Sequence, residues 1–263
     1  RSGYGLIIHP CDHQDIDLSS KLRALIASTR LDGIILTPPF TENHEVLNLL
    51  RESGTSFVLI SPLNPDPEKP SVSSDDLSAS RQAMQHLIDL GHERIGFIRG
   101  LKLRSGSEMR FLGYKESLAE NGIPFDPELV AEGQFTFESA ELGARELLLL
   151  EDRPTAIFAS SDYMAAGVMK AAMQMNLSIP SELSLCGFDD NPIARYLTPT
   201  LTTMRHPVRK LAAFAAEKLV SYLDGNQDVS DPPPIYSELI VRESTSPAEK
   251  KTLPPRRPTS PGF

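Results

Sequence analysis

Short apolar runs alternate with amphipathic stretches along the first seventy residues. The apolar runs 4–8, 33–36 and 57–60 predict strands, and the apolar spacing over 18–28 and 45–52 predicts helices. Strands that are apolar throughout are typical of a parallel sheet covered by helices on both faces. This part of the chain is therefore predicted to be a β-α-β-α-β unit.

The same alternation returns after a proline-rich connector at 61–71, which predicts a change of subdomain. The predicted helices and strands that follow are 77–90, 94–99, 110–121, 129–135, 138–150, 156–159, 163–176 and 183–188. A helix over 208–223 and a strand over 237–241 complete the pattern. The proline-rich tail 247–263 is predicted to be disordered.

Polar residues follow two of these strands directly. Strand 156–159 ends in Ser160-Ser161-Asp162, where Asp162 is the expected N-cap of the next helix, and strand 183–188 ends in Asp189-Asp190. Successive parallel strands end at the same edge of a sheet, which is where α/β proteins bind ligands. We therefore expect Ser161 and Asp189 to face one crevice.

Composition narrows the function classes. The net charge of −9 and a pI near 5.2 make a poor nucleic-acid binder, because phosphate affinity comes from Lys and Arg. No apolar run approaches the roughly 20 residues of a membrane span. Cys11 and Cys186 are interpreted as buried or half-buried thiols in a reducing compartment, which favours a cytoplasmic location. No metal-type spacing, cofactor motif or catalytic motif is found, so we expect no cofactor and no enzyme.

Six ordered motifs resemble the ligand-binding core of the lactose/galactose repressor (LacI/GalR) family of bacterial transcription regulators. They are L-I-D-L-G-H-E-R-I-G-F-I-R-G (87–100), R-F-L-G-Y (110–114), P-T-A-I-F-A-S-S-D-Y-M-A-A-G (154–167), I-P-S-E-L-S-L-C-G-F-D-D (179–190), L-T-T-M-R-H-P (201–207) and L-I-V-R-E-S-T (239–245). The resemblance implies an α/β fold similar to a type I periplasmic binding protein. In that fold, two Rossmann-like parallel-sheet subdomains are joined by three crossover strands, with a small ligand between them.

The resemblance also implies a domain layout. The N-terminal subdomain would comprise 1–72 plus 206–235, and the C-terminal subdomain 73–205 plus 236–246. The crossovers would lie near 71–74, 204–207 and 237–239. The family's helix-turn-helix is absent from this sequence, and so are the first strand and helix of the core. We expect the missing strand to belong between 4–8 and 33–36, inside the sheet.

Arg110 and Asp189 are the leading ligand-binding candidates. Arg110 matches the family's effector-gripping arginine, and its alternative is a surface arginine in the first turn of a helix. Asp189 matches the pocket carboxylate at a strand end, and its alternative is a turn cap. Removing either charge is expected to weaken binding more than stability.

Four further candidates carry less specific signals. Phe135 suits a sugar face or a base, or else the core. Ser161 stands where the family more often has Asn. His206 bonds either the ligand or the hinge, and Arg104 lies in the loop before Arg110, where solvation is its alternative role.

The sequence thus predicts the effector-binding and dimerisation core of a regulator that binds a small polar metabolite, with a sugar as the expected ligand. Operator DNA would be bound only by a domain outside this chain. Helix 163–176 is apolar on nearly every face, which predicts a homodimer through it. The main alternative function is a periplasmic sugar-binding protein that serves a transporter. A hydrolase would need a nucleophile–base pair that the sequence does not show.

Overall fold

A computed structural model describes residues 3–12, 15–29, 31–66, 70–226 and 234–249. Eight helices and nine strands alternate along this part of the chain. They are α1 (Leu18–Thr29), β1 (Gly33–Leu36), α2 (His44–Glu52), β2 (Ser56–Ile60), β3 (Ser71–Val72), α3 (Asp76–Asp89), β4 (Ile95–Arg99), α4 (Ser105–Glu120), β5 (Val130–Glu132), α5 (Phe137–Leu148), β6 (Ala156–Ala159), α6 (Asp162–Gln174), β7 (Ser184–Asp189), α7 (Ile193–Tyr196), β8 (Thr202–Arg205), α8 (Val208–Leu223) and β9 (Glu238–Ile240). Single 3-10 turns lie at Phe40–Glu42 and Pro127–Leu129.

These strands form two sheets, which confirms the predicted fold class. The first has the order β1-β2-β3 and the second has the order β5-β4-β6-β7-β8-β9. All neighbours are parallel except β8 and β9, which run antiparallel. In both sheets the crossover helices lie against the faces and bury the strands from two sides.

The six-stranded sheet has a core on each face. Successive side chains of a strand point to opposite faces, so β6 sends Phe158 to the core under α3 and α4, and Ile157 to the core under α5 and α6. Every residue of β6 is buried. The three-stranded sheet repeats this arrangement with smaller clusters, with α1 and α2 on one face and α8 on the other.

The predicted strand 4–8 is not formed. Its residues have no regular secondary structure, and Leu6 and Ile8 are 84% and 81% exposed. An apolar run becomes a strand only where a neighbouring strand accepts its backbone hydrogen bonds. Within the described residues, β1 pairs with β2 alone, and the segment does not pair with it. The segment instead lines a cavity of about 810 Å³ together with α1, β1 and α8.

Three segments carry the chain between the sheets, at 72–76, 205–208 and 235–238, and we refer to them as the crossing segments. They are bonded to one another. Ser74 forms a bridge with Ile235, and its hydroxyl lies 2.9 Å from Nε2 of His206. Arg205 donates from Nη1 to Oε2 of Glu238 at 2.9 Å. The resemblance had placed the crossovers near 71–74, 204–207 and 237–239.

The predicted disordered tail 247–263 lies mostly outside the described residues. Its first residues are described, and the amide of Ala248 donates to the carbonyl of Leu90 at 2.8 Å. His92 also holds this end of the chain, with Nε2 3.0 Å from the carbonyl oxygen of Ser246. Residues up to 248 therefore pack against α3 and the strand edge beside it.

Candidate functional site

Arg110 forms the centre of a charged cluster beside the carboxyl ends of β4, β6 and β7. Its guanidinium bonds Asp76, with Nε at 3.1 Å and Nη2 at 2.9 Å from Oδ2, and Nη1 donates to the carbonyl of Ser160 at 2.7 Å. It also stacks over the ring of Phe188, with Cζ 3.5 Å from the ring centroid. Arg110 is only 6% exposed. Because α4 begins at Ser105, Arg110 lies in its second turn rather than the predicted first.

Asp76 is a site residue that sequence reasoning missed. Asp75 and Asp76 both precede the predicted helix 77–90, where an acid suits a cap, and Asp75 alone caps α3 by accepting from the amide of Ser78 at 2.9 Å. Asp76 instead points inward to Arg110. Burial acts to raise the Asp76 pKa, but Arg110, His206 and Ser74 outweigh burial and lower it. Two consecutive acids before a helix that needs only one cap are the signal that could have identified it.

Asp189 faces Arg110 from the end of β7, where its side chain stays about one-third exposed. Its Oδ1 lies 3.9 Å from Nη2 of Arg110, too far for a hydrogen bond. Within the described residues, its carboxylate accepts no hydrogen bond. Burial raises its pKa, although Arg110 and His206 act in the opposite direction. Asp189 is thus a partly desolvated carboxylate without a hydrogen-bond donor among the described residues.

His206 closes the cluster from the second crossing segment. Its Nε2 lies 2.9 Å from Oγ of Ser74 and 3.5 Å from Oδ1 of Asp76. Its ring centroid is 5.9 Å from that of Phe188. Of the two roles considered for His206, the contact with the first crossing segment is present in the structure.

Ser161 and Asp162 exchange the roles expected of them. Ser161 is the N-cap of α6, because its hydroxyl accepts from the amide of Met164 at 3.2 Å, and it is 5% exposed. The prediction that Asp162 caps this helix is wrong. The fully buried Asp162 accepts from Thr203 Oγ1 and from the amide of Asn191, both at 2.6 Å. Burial raises the pKa of Asp162 to about 7.

Phe135 follows β5 and has a left-handed backbone, φ 58°. Its ring lies so close to Gly100 that a Cβ built there would be 2.1 Å from Cζ of Phe135. Only glycine fits at position 100, the first residue after β4. The ring is half-buried and packs against the core beneath α5 and α6. Both roles considered for Phe135, platform and core residue, are consistent with this placement.

Arg104 does not join the cluster around Arg110. Its Nη1 lies 3.5 Å from Oε2 of Glu42 and 3.5 Å from the carbonyl oxygen of Pro39. Those residues belong to the three-stranded half, in the loop after β1, so Arg104 bridges the two halves of the molecule. The cluster itself is built from the six-stranded half and two of the crossing segments.

The premise for a dimer through helix 163–176 is also altered. The second apolar face of α6 packs along α5 of the same chain, so closely that a Cβ at Gly167 would be 2.3 Å from the carbonyl oxygen of Phe137. Tyr163 and Met173 are the large side chains of α6 that remain exposed, at 50% and 69%. The all-round apolar character of this helix is thus largely explained within one chain.

Three remaining features concern the cysteines, metal binding and the membrane. Cys186 is buried in β7, whereas Cys11 is exposed, contrary to the expectation of two shielded thiols. Among the described residues, no group of three or more His, Cys, Asp or Glu side chains is placed to hold a metal ion. None of the helices in this part of the chain has the length and apolarity needed to cross a bilayer.

Comparison with known proteins defines the class. Residues 84–245 match the family model for a periplasmic binding protein-like domain. The HTH-type transcriptional repressor CytR of Escherichia coli is 33% identical over 246 residues, which cover 92% of this chain and 71% of CytR. The probable HTH-type transcriptional repressor ExuR of Bacillus subtilis is 32% identical over 219 residues, 83% of this chain and 66% of ExuR. The chain is thus a periplasmic-binding-protein-like effector-binding domain.

Solved structures agree. A complex of the transcriptional regulator CelR with cellobiose superimposes with a TM-score of 0.81 at 28% identity, covering 88% of this chain and 71% of CelR. CcpA of Lactococcus lactis gives a TM-score of 0.80 at 29% identity, covering 89% and 85%. The chain belongs to the LacI/GalR family of bacterial transcription regulators, and it spans about two thirds of the length of its curated relatives. These relatives are regulators, not enzymes, and they favour the regulator over the transporter protein.

Proposed function

We propose that the cleft between the two sheets binds a small neutral polyhydroxylated effector, a sugar or sugar derivative. Arg110, Asp189, Phe135, Ser161 and His206 would form its walls, and Arg104 its mouth. The observation that carries the proposal is the pairing of Arg110 with an Asp189 side chain that is about one-third exposed, at 3.9 Å. A guanidinium and a carboxylate at this separation can serve adjacent hydroxyls as donor and acceptor.

The charge of the cluster favours a neutral ligand over an anion. The Arg110 guanidinium is already neutralised by Asp76, and the Asp189 carboxylate lies beside it. An anionic ligand would add a third negative charge to one cation in a partly desolvated space. The cellobiose complex of CelR supports a sugar, because that relative shares the fold at 28% identity.

The whole regulator would be a cytoplasmic homodimer in which effector binding changes the orientation of the subdomains and hence operator affinity. The relatives named as HTH-type repressors support this, with DNA binding assigned to a part outside these 263 residues. We retain 1–72 plus 206–235 and 73–205 plus 236–246 as the two subdomains. A dimer surface that includes α6 remains a proposal, with exposed Tyr163 as a contact for the partner.

The test is a thermal-shift screen with neutral mono- and disaccharides, including ribose and cellobiose, beside uronic acids and sugar phosphates. A ligand at about 100-fold its Kd adds roughly 2.7 kcal/mol. Neutral sugars should stabilise the protein, and their anionic counterparts should not. Stabilisation by the acids or phosphates alone would contradict the proposal.

Asp189→Asn separates binding from folding. Leaving a ligand hydroxyl without its charged partner costs about 1.5–3 kcal/mol, or about ten- to a hundredfold in Kd by calorimetry. The matched control is Asp126→Asn, which removes a carboxylate 3.0 Å from Arg94, away from the cleft. Wild-type affinity in Asp189→Asn would show that the pocket lies elsewhere.

Arg110 does not offer this separation, because its contacts make us expect a loss of stability as well as of binding. Arg110→Ala leaves Asp76 buried without its cation, which costs about 3–5 kcal/mol for a buried pair. Loss of binding in this variant would therefore be accompanied by loss of folding.

A further inference from the structure

The residue after Asp189 is held more firmly than Asp189 itself. The side chain of Asp190 is only 2% exposed and meets three arginines. Arg205 donates from Nε to Oδ2 at 2.8 Å, Arg242 bonds Oδ1, and Nη2 of Arg195 lies 3.5 Å from Oδ2. Burial opposes ionisation of this carboxyl, but the bonds from Arg242 and Arg205 lower its pKa. We call Arg195, Arg205 and Arg242 the arginine clamp.

The backbone beside this carboxylate is strained. Asp189 has φ 112° and Asp190 has φ 53°, conformations that residues with a side chain rarely adopt. Such conformations persist only where the surroundings determine them, and they cluster at functional sites. The strained segment 189–191 is therefore a turn that something must hold, and the Asp190 carboxylate is its most heavily bonded group.

Two further bonds fix the ends of this turn. The Asp189 carbonyl accepts from the amide of His206 at 3.2 Å, and the amide of Asn191 donates to the buried Asp162 at 2.6 Å. Asp190 stands between them, with its side chain directed away from the cluster around Arg110. Its anchors come from three elements, because Arg195 lies in α7, Arg205 ends β8 and Arg242 follows β9.

We propose that Asp190 is a positioning residue for effector binding: the arginine clamp holds its carboxylate, and thereby holds the strained turn that presents Asp189 to the cleft. The proposal rests on the proposed function for the role of Asp189. The contacts of the arginine clamp are formed within the chain and need no ligand. Since Arg205 begins the second crossing segment and Arg242 follows β9, which continues from the third, the clamp also ties the turn to the connections between the subdomains.

Asp190→Asn tests the charge of this side chain alone. Asparagine has the same shape and tolerates a left-handed backbone almost as well as any residue other than glycine, so the variant removes the ionic anchor without adding backbone strain. Arg205→Gln is a second variant, which removes one anchor of Asp190 together with the bond to Glu238 from a side chain 44% exposed. Asp126→Asn is the control for loss of an ion pair elsewhere.

The measurement is native-state hydrogen exchange of the ligand-free protein, resolved by residue. In Asp190→Asn, the amides of Asn191 and His206 should lose at least tenfold more protection than the amides of β6. Arg205→Gln should show the same pattern with a smaller amplitude, and Asp126→Asn should not show it. An equal loss of protection at the turn and in β6 would show that Asp190 has a purely structural role. Wild-type protection at the turn would show that the arginine clamp does not hold it.

No ligand is needed for this experiment, so its result is independent of the sugar screen. A failed screen with a loosened turn would contradict the proposed function and leave the clamp intact. Sugar binding with an unaltered turn in Asp190→Asn would contradict the clamp and leave the function intact. Where a sugar binds, Asp190→Asn should also weaken it about tenfold by calorimetry, and an unchanged Kd would overturn the positioning role.

Discussion

The three-stranded sheet β1–β3 and the six-stranded sheet β4–β9 use the same unit, an apolar strand followed by an amphipathic helix, yet they bury it to different degrees. All four residues of β6 are buried, whereas β1 buries only Leu36. β6 has a strand on either side, and β1 has one neighbour among the described residues. An apolar pattern thus indicates that a segment can form a strand. The neighbouring strands determine how much of that strand is buried.

The largest difference in stability should come from truncating one buried leucine in each sheet. Leu185→Ala in β7 should cost toward the upper end of the range of about 2–5 kcal/mol, and Leu36→Ala in β1 toward its lower end. Leu185 is fully enclosed, whereas Leu36 borders the cavity of about 810 Å³ and can relax into it. Opening free energies of β7 and β2 amides from hydrogen exchange measure both. Equal losses would mean that the two cores are packed alike.

A smaller effect should appear in the pH dependence of the six-stranded half. The folded state holds the Asp162 proton up to about pH 7, whereas the unfolded chain releases it near 3.8. The folded state therefore binds more protons between these values, and this carboxyl's contribution to stability falls as the pH rises through that window, by on the order of 3–4 kcal/mol.

Asp162→Asn removes that contribution. The stability difference, wild type minus variant, should be largest near pH 4 and shrink up to about pH 7, then become constant, as measured by urea unfolding at each pH. A difference that is constant over pH 4–8 would show that Asp162 titrates as an ordinary carboxyl, and that the space under the turn 189–191 is wet.

The smallest effect concerns the ion pair between Arg104 and Glu42, which joins the two halves. A double-mutant cycle on Arg104→Ala and Glu42→Ala should give a coupling of about 0.2–1 kcal/mol, reduced at 1 M salt. Both side chains keep about a quarter of their surface exposed. Arg81 and Glu120, 2.6 Å apart within one half, provide the control pair. Zero coupling for Arg104 and Glu42 at low salt would show that the halves are joined by the crossing segments alone.

Local signals predicted most of the fold. The helix 208–223 agrees with the sequence, because amphipathic spacing acts over a few residues. The segment 4–8 could not be predicted this way, since strand formation needs a partner that local pattern does not contain. The fold class, in turn, came from the order of six motifs rather than from any one of them.

The site was less predictable than the fold. Arg110, Asp189 and His206 were found from their motifs, and the structure brings them together. Asp76 was missed because an acid before a helix has a sufficient explanation as a cap. The sequence predicted Asp162 rather than Ser161 as the N-cap of α6, because adjacent Ser and Asp are both good N-caps. Only the depth of burial decides between them, and burial depends on β8, forty residues later.

The bonds among the crossing segments have a mechanical consequence. Ser74 touches both His206 and Ile235, and Arg205 holds Glu238, so each segment is fastened to another near the midpoint of the molecule. Three independent tethers would let the halves slide, twist and tilt separately. Fastened together they resist sliding, and we expect the halves to rotate about one shared pivot. A signal that passes between the cleft and a distant surface would then be carried by the angle of that rotation.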